Sequence, residues 1–262
     1  METPDMDVCR VLAAKHGLPL QFIVKDFFLM DVLSRLAAKQ EDFGNIVFKG
    51  GTALSKIYLE GVQRFSEDLD FDVETDSSGA KSICGKMAGR IAGYKTGEIR
   101  KVRSTYQFEC AYTSILGGSD HVRVDVAPKK IITDKKPVLA QVSSPYSQKS
   151  VAGVRTYGLE DLTARKLCAL ESRTEGKDLY DAYSSLPLCK KMHGAISAML
   201  CSEGRKETPA EFIEKTIAKV KTCDTKKAGN LTNPFIPSQN RPKSWVALKN
   251  SLVIMLEEMD AD

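Results

Sequence analysis

Residues 49–71 read KGGTALSKIYLEGVQRFSEDLDF, with Gly50, Gly51 and Thr52 ahead of three acids, Glu67, Asp68 and Asp70. On a strand, residues two apart share a face, so Asp68 and Asp70 project together while Leu69 and Phe71 turn into the core. Two carboxylates held this close repel each other. They are tolerated where water solvates them or where a divalent cation sits between them. Magnesium prefers oxygen ligands and is held by one or two carboxylates plus substrate phosphates. A third carboxylate on a neighbouring strand allows two ions, the clamp used for in-line phosphoryl chemistry. Asp125 is the candidate: in HVRVDVAP, residues 121–128, His121, Arg123 and Asp125 point one way and Val122, Val124 and Val126 the other.

The glycines suggest the complementary half of such a site. A strand running into Gly-Gly and then a helix start exposes backbone N–H groups, which attract anions. Glycine lets the backbone approach phosphates closely. Thr52 is a good first residue for a helix and can add a hydroxyl hydrogen bond. Neither GxxxxGK[ST] nor GxGxxG is present. Taken singly, a Gly-Gly turn is more often only a turn, and an acidic strand only an exposed edge.

Several elements must position these groups. Residues 19–38 are apolar at mixed three- and four-residue spacing and predict a buried helix; 46–49 predict a short buried strand, 52–61 a helix starting at Thr52, and 68–73 an alternating strand. A helix is expected over 77–94. Residues 98–116 and 121–127 read as β, joined by LGGSD, with further strands between 137 and 157. From Gly158 the pattern is helical, over 159–173, 177–186, 188–202, 209–222 and 244–258, with an Asn/Pro/Gly-rich loop at 228–243. The expected organisation is an α/β half, 1–158, with N-terminal helices, then a helical half, 159–262, with a cleft between them.

Lys166 falls amid Leu159, Leu162, Ala169 and Leu170 on one helical face. A lysine there either snorkels to solvent or meets an anion, because burying an unpaired ammonium is unfavourable. Its replacement by Met is expected to leave folding intact. Asp178 and Asp181 share one side of the next helix, with Leu179, Tyr183 and Leu186 opposite. Either both simply favour the helix dipole, or Asp178 orients Lys166 or an acceptor. Lys49, Lys56 and Arg64 are either phosphate contacts or solvated cations.

The bulk numbers predict an ordinary soluble globular protein, and the mild basicity is compatible with a polyanionic substrate without establishing one. The chain has 262 residues, a formal charge of +4, a pI near 8.6 and a mean hydropathy of −0.23. Between Arg205 and Asn250 lie ten Lys/Arg and four Asp/Glu, and Lys129, Lys130, Lys135 and Lys136 form a second basic cluster. Such clusters are either an RNA footprint or plain solvated faces. Seven cysteines without CxxC and three unpaired histidines argue against zinc and for a reducing, cytoplasmic setting. METPDMDVCR lacks the apolar run of a signal peptide, and no segment predicts a membrane span.

The combination of strand, GG[ST], helix, spacer and D-x-D resembles the polymerase-β-like nucleotidyltransferase superfamily. More narrowly, KGGTALSK followed by RFSEDLDF is similar to the signature of AbiEii-type nucleotidyltransferases, the toxin halves of type IV toxin–antitoxin and abortive-infection pairs. Asp125 matches their third aspartate, and ARKLCAL (164–170) and KDLYDA (177–182) match their later helices. The resemblance covers most of residues 45–190; residues 188–262 match nothing diagnostic. It implies a polymerase-β-like α+β core with a mixed sheet and a helical C-terminal lobe. It also implies transfer of an NMP from an NTP, with Mg²⁺, to an acceptor such as tRNA, and neutralisation by a cognate antitoxin. On that reading Asp68, Asp70 and Asp125 hold metal, Gly50, Gly51, Thr52, Arg64, Ser66 and Lys166 hold nucleotide, and Lys166 and Asp178 join the catalytic set. The alternatives are NMP transfer to a protein or small molecule, and a non-catalytic nucleotide-binding module.

Overall fold

A computed structural model describes residues 3–260. Helix α1 (Met6–His16) is capped by the Asp5 carboxylate, which accepts from the backbone of Asp7 and Val8, and ends at Gly17 in the left-handed region. Helix α2 (Leu20–Ala37) buries residues on nearly all sides, from Phe22 to Leu36, in agreement with its mixed apolar spacing.

Strand β1 (Ile46–Lys49) runs into a single helical turn, α3 (Gly50–Ala53), then a π-helical turn over Leu54–Tyr58. The helix expected over 52–61 is therefore shorter and begins two residues earlier. Thr52 does not cap it: its hydroxyl donates to the Asp68 carbonyl at 2.6 Å, tying the turn to the next strand. That strand is β2 (Asp68–Val73). Helix α4 (Ser77–Gly89), capped by Asp76, stops five residues short of the expected end.

Strands β3 (Lys95–Thr96), β4 (Arg100–Val102), β5 (Thr105–Thr113), β6 (Ser119–Pro128), β7 (Val138–Ser144) and β8 (Lys149–Thr156) complete an eight-stranded sheet in the order β3-β5-β6-β2-β1-β8-β7, with β4 also on β5. The sheet is mixed: β2 runs parallel to β6 and β1 to β8, while β1 and β2 are antiparallel. Gly117 and Gly118, both at positive φ, turn β5 into β6 as LGGSD predicts. Helices α2 and α4 pack against the sheet.

The remainder is helical: α5 (Leu159–Arg173), α6 (Gly176–Ser185), α7 (His193–Ser202), α8 (Pro209–Lys221), α9 (Thr225–Thr232) and α10 (Trp245–Asp260). The buried apolar residues form two clusters, one closing with Leu162 and the other opening with Ala164, so α5 contributes to both. Two expectations are corrected. The segment 228–243 is not all loop, because Asp224 caps α9 through the Lys227 N–H and Trp245 packs on Gly229. The helix expected from 188 starts at His193, after a 3₁₀ turn at Leu186–Leu188. All seven cysteines are free thiols, and among the described residues no helix is long and apolar enough to cross a membrane.

The start of α6 is set by contact with α9. A Cβ on Gly176 would stand 2.3 Å from Thr232 Oγ1 and 2.5 Å from the Ala228 carbonyl. Overpacking of this kind costs about 1–3 kcal/mol. Gly176→Ala is therefore expected to lower the thermal midpoint by several degrees; an unchanged melt would show that the two helices are not in tight contact.

Candidate active site

Strand register brings the acids together. Lys49 on β1 lies opposite Asp70 on β2, Asp70 opposite Asp125 on β6, and Asp125 opposite Gln107 on β5. Residues directly opposite each other share a sheet face, so these four form one transverse row. One step along, Asp68 lies opposite Arg123. Leu69 and Phe71 are buried on the other face, as their alternation requires.

The glycine turn fits around this row. Gly50 has φ +79°, and a Cβ there would fall 2.1 Å from Asp70 Oδ2. The position thus needs glycine both for its backbone and for the carboxylate beside it. A Cβ on Gly51 would meet Arg64 Nη2 at 2.5 Å and Ser66 Oγ at 3.3 Å. Gly50 and Gly51 line a cavity of about 310 Å³ together with Lys49, Asp70, Asp72, Arg165, Lys166 and Arg173. Asp70 and Asp72 therefore face Lys166 and two arginines across one space. Thr52 lies outside this lining, fully buried, and presents no hydroxyl to it.

Below the turn is a buried ionic network. Arg64 donates through Nε and Nη2 to the two oxygens of Asp181, each at 2.7 Å. Lys166 Nζ donates to Asp178 at 2.9 Å and stands 3.0 Å from Asp181. Arg173 completes the set with bonds of 2.6 and 2.9 Å to Asp178. Lys166 therefore neither snorkels nor waits unpaired. Burial disfavours its charge, but Asp181 and Asp178 outweigh that and hold its pKa above the usual value. Burial would raise the Asp178 carboxyl, yet Lys166 and Arg173 pull it down to about 2. Asp178 and Asp181 share Lys166, as two residues on one side of α6 can, and both are fully buried.

The row itself is short of positive charge. Burial raises the pKa of Asp68 and Asp70, and repulsion within the group adds to this. Asp125 is pushed up to about 6 by burial and by Asp70, with Arg123 opposing. Arg123 bridges the outer pair: Nη2 donates to Asp68 Oδ2 and Nε to Asp125 Oδ2 at 3.1 Å. The Asp70 carboxylate accepts no hydrogen bond among the described residues; Lys49, Lys166 and Arg123 act on it through space. As a donor set, three carboxylates on adjacent strands suit a hard divalent cation. With Asp68 and Asp125 turned onto Arg123, the described residues contain no ready-made cluster of three such ligands.

Other expected contacts are placed elsewhere. Lys56 is buried on Asp26 and Ser144, away from the row, and is not a phosphate contact. Lys49 pairs with Asp72, whose other oxygen accepts from the Tyr157 hydroxyl at 2.8 Å. Three further residues belong to the site although the sequence pattern alone does not single them out. Asp72 continues the period-two run Asp68, Asp70. Arg123 shares a face with Asp125, and Arg173 lies seven residues, two turns, beyond Lys166.

The network changes the expectation for Lys166→Met. Removing one partner leaves two buried carboxylates under-compensated, a loss of about 3–5 kcal/mol for a broken buried pair. The variant should melt well below the wild type; an equal or higher midpoint would mean that the lysine is not held in this network.

A family model described as the nucleotidyl transferase AbiEii toxin of the type IV toxin–antitoxin system matches residues 31–250. A comparison with curated proteins finds no match. Among solved structures, the MenT4 nucleotidyltransferase toxin of Mycobacterium tuberculosis H37Rv is similar, with a TM-score of 0.71 at 18% identity over 99% of this chain and 91% of that one. JHP933 of Helicobacter pylori gives a TM-score of 0.59 at 17% identity, over 93% of this chain and 94% of the other. At such identities the structures establish a shared fold. The family match, spanning most of the chain and both halves of the ionic site, makes this protein a member of the AbiEii nucleotidyltransferase toxin family.

Proposed function

We propose that this toxin transfers an NMP from an NTP to an RNA acceptor, tRNA being the leading candidate, with Mg²⁺ held by Asp68, Asp70 and Asp125. The carrying observation is Asp70, in register with Asp125 and packed against Gly50, on a cavity lined by Lys166, Arg165 and Arg173. Bound Mg²⁺ would screen the phosphate charge and orient the reacting phosphate. The chain's own groups do the rest. Gly50 and Gly51 let the triphosphate approach the backbone, with Ser66 beside Gly51. Lys166 and Arg173 supply charge for the departing pyrophosphate. Asp178 fixes both cations, and Arg64, held by Asp181, fixes the turn from below. Asp125 completes the carboxylate set and helps activate the attacking acceptor hydroxyl by receiving its proton. Rate enhancement then comes from positioning and preorganised charge.

An RNA acceptor is favoured by a second cavity of about 540 Å³, lined by Arg173, Lys177, Lys219 and Lys227 with the exposed Leu231. Arg173 lines both cavities, which places the second beside the first. Elsewhere in the basic stretch, Lys215 pairs with Glu207 and Lys221 with Glu257. In the other basic cluster, Lys129 pairs with Glu203 and Lys135 with Glu160, so both are less available to phosphate. The α/β part, 1–158, is read as the catalytic lobe and 159–262 as the lobe that carries Lys166 and the acceptor groove. A cognate antitoxin is expected as the regulatory partner, as the family description implies.

Asp70→Ala should abolish transfer of labelled NMP to total cellular RNA in Mg²⁺, by three orders of magnitude or about 4 kcal/mol, without lowering the thermal midpoint. Near-wild-type transfer would remove the carboxylate row from the mechanism.

Lys219→Glu with Lys227→Glu should weaken RNA binding and lower the slope of log affinity against log salt by about 2, one for each lysine withdrawn from a phosphate. An unchanged slope would place the acceptor outside this groove.

A further inference from the structure

We infer that Arg123 is a self-supplied counter-cation of the carboxylate row, and that it must swing away before a divalent cation can bind there. Its hold on Asp68 and Asp125 would thereby set how much divalent cation the toxin needs. The inference rests on the reading of Asp68, Asp70 and Asp125 as the metal-holding set.

The geometry is specific. Strand alternation puts Arg123 on the same face as Asp125, and the parallel pairing of β2 with β6 puts it directly opposite Asp68. Its planar fork spans both carboxylates, using Nη2 for one and Nε for the other. The two carboxylates it engages belong to the set read as holding the metal, so the two modes of binding would compete. Across the other edge of β6, Arg123 faces Glu109 in register, but Glu109 is taken by Arg100 at 2.9 Å. Among the described residues, the ion-pair partners of Arg123 are Asp68 and Asp125.

The neighbouring cations cannot play this part. Lys49 is held by buried Asp72, and Lys166 by buried Asp178 and Asp181. The Arg123 side chain is 41% exposed, so its guanidinium has solvent to move into. Ion pairs with that much water access are weak enough to exchange. A compact dication with three carboxylates offers more charge per site than a guanidinium bridging two. Two exclusive occupants of one set of oxygens give an apparent affinity reduced by the fraction of molecules in which Arg123 has left.

The test is Mn²⁺ binding to the full-length protein, without NTP or RNA, followed by the electron paramagnetic resonance signal of free Mn²⁺. Arg123→Gln should bind at least about tenfold more tightly than wild type, and Arg123→Lys, which keeps the charge but loses the fork, should fall between. Arg100→Gln removes the same charge two strands away without touching Asp68 or Asp125, and should shift affinity much less. If Arg123→Gln does not fold alone, Arg123→Lys carries the comparison. Affinity in the Arg123 variants equal to wild type, or raised no more than in Arg100→Gln, would overturn the inference. If binding is equal in all of them and lost in Asp70→Ala, the metal-holding row stands and only the role of Arg123 falls. If no form binds Mn²⁺, the row is not a metal site and both readings fall together.

Discussion

Two parallel N–H···O bonds join Arg64 to Asp181, between side chains 4% and 0% exposed. Removing both charges from water is unfavourable and is offset only by close geometry and further partners. Here the partners are Lys166, shared by Asp181 and Asp178, and Arg173 on Asp178. The bond has consequences along the chain. Arg64 comes four residues before Asp68, and its guanidinium occupies the space that a side chain at position 51 would need. One buried ion pair thus locks the glycine turn, the approach to β2 and helix α6 into a single arrangement. The two apolar clusters do not need this bond to exist separately; the site does.

Both signs of charge meet around the cavity. Asp70 and Asp72 come from β2, Lys49 ends β1, Glu203 follows α7, and Arg165, Lys166 and Arg173 come from α5. Arg165 is itself fixed, with its guanidinium 3.9 Å from the Tyr157 ring and a bond of 3.0 Å to the Ile132 carbonyl. Nucleotidyl transfer uses both signs: negative oxygens to gather cations and accept a proton, and positive groups to receive the leaving pyrophosphate. Because every α5 cation on the cavity is already held by protein acceptors, little reorganisation is left for the reaction itself. That is the physical meaning of preorganisation in this site.

Much of the sheet side was legible in the sequence, because a period of two maps directly onto a face. Asp68, Asp70 and Asp125 were found from alternation, and register then placed Asp70 against Asp125. The Gly-Gly turn was found from residue type, although Thr52 found a carbonyl partner instead of a cap. The ionic network was legible only in part. Lys166 on an apolar face implied an anionic partner, and Asp178 was one candidate to orient it, but nothing local marks Arg64, Arg173 and Asp181 as further partners. The short helix α9 was hidden for the opposite reason: its Gly and Asn suggest a loop, and packing against α6 and Trp245 overrides that propensity.

Lys166 and Arg123 have similar chemistry and opposite situations. Lys166 is 8% exposed between two carboxylates that are 0% exposed, so any movement would strand three charges in the interior. Arg123 is 41% exposed, and its partners are 34% and 18% exposed, so water can replace it. Burial thus separates the two: Lys166 is fixed structure, while Arg123 has the solvent access that the proposed exchange requires. On that reading one exchangeable ion pair sits at the carboxylate row, with a rigid network behind it. The rigid network keeps the geometry ready, and the exchangeable pair leaves the carboxylates responsive to the cation on which the proposed reaction depends.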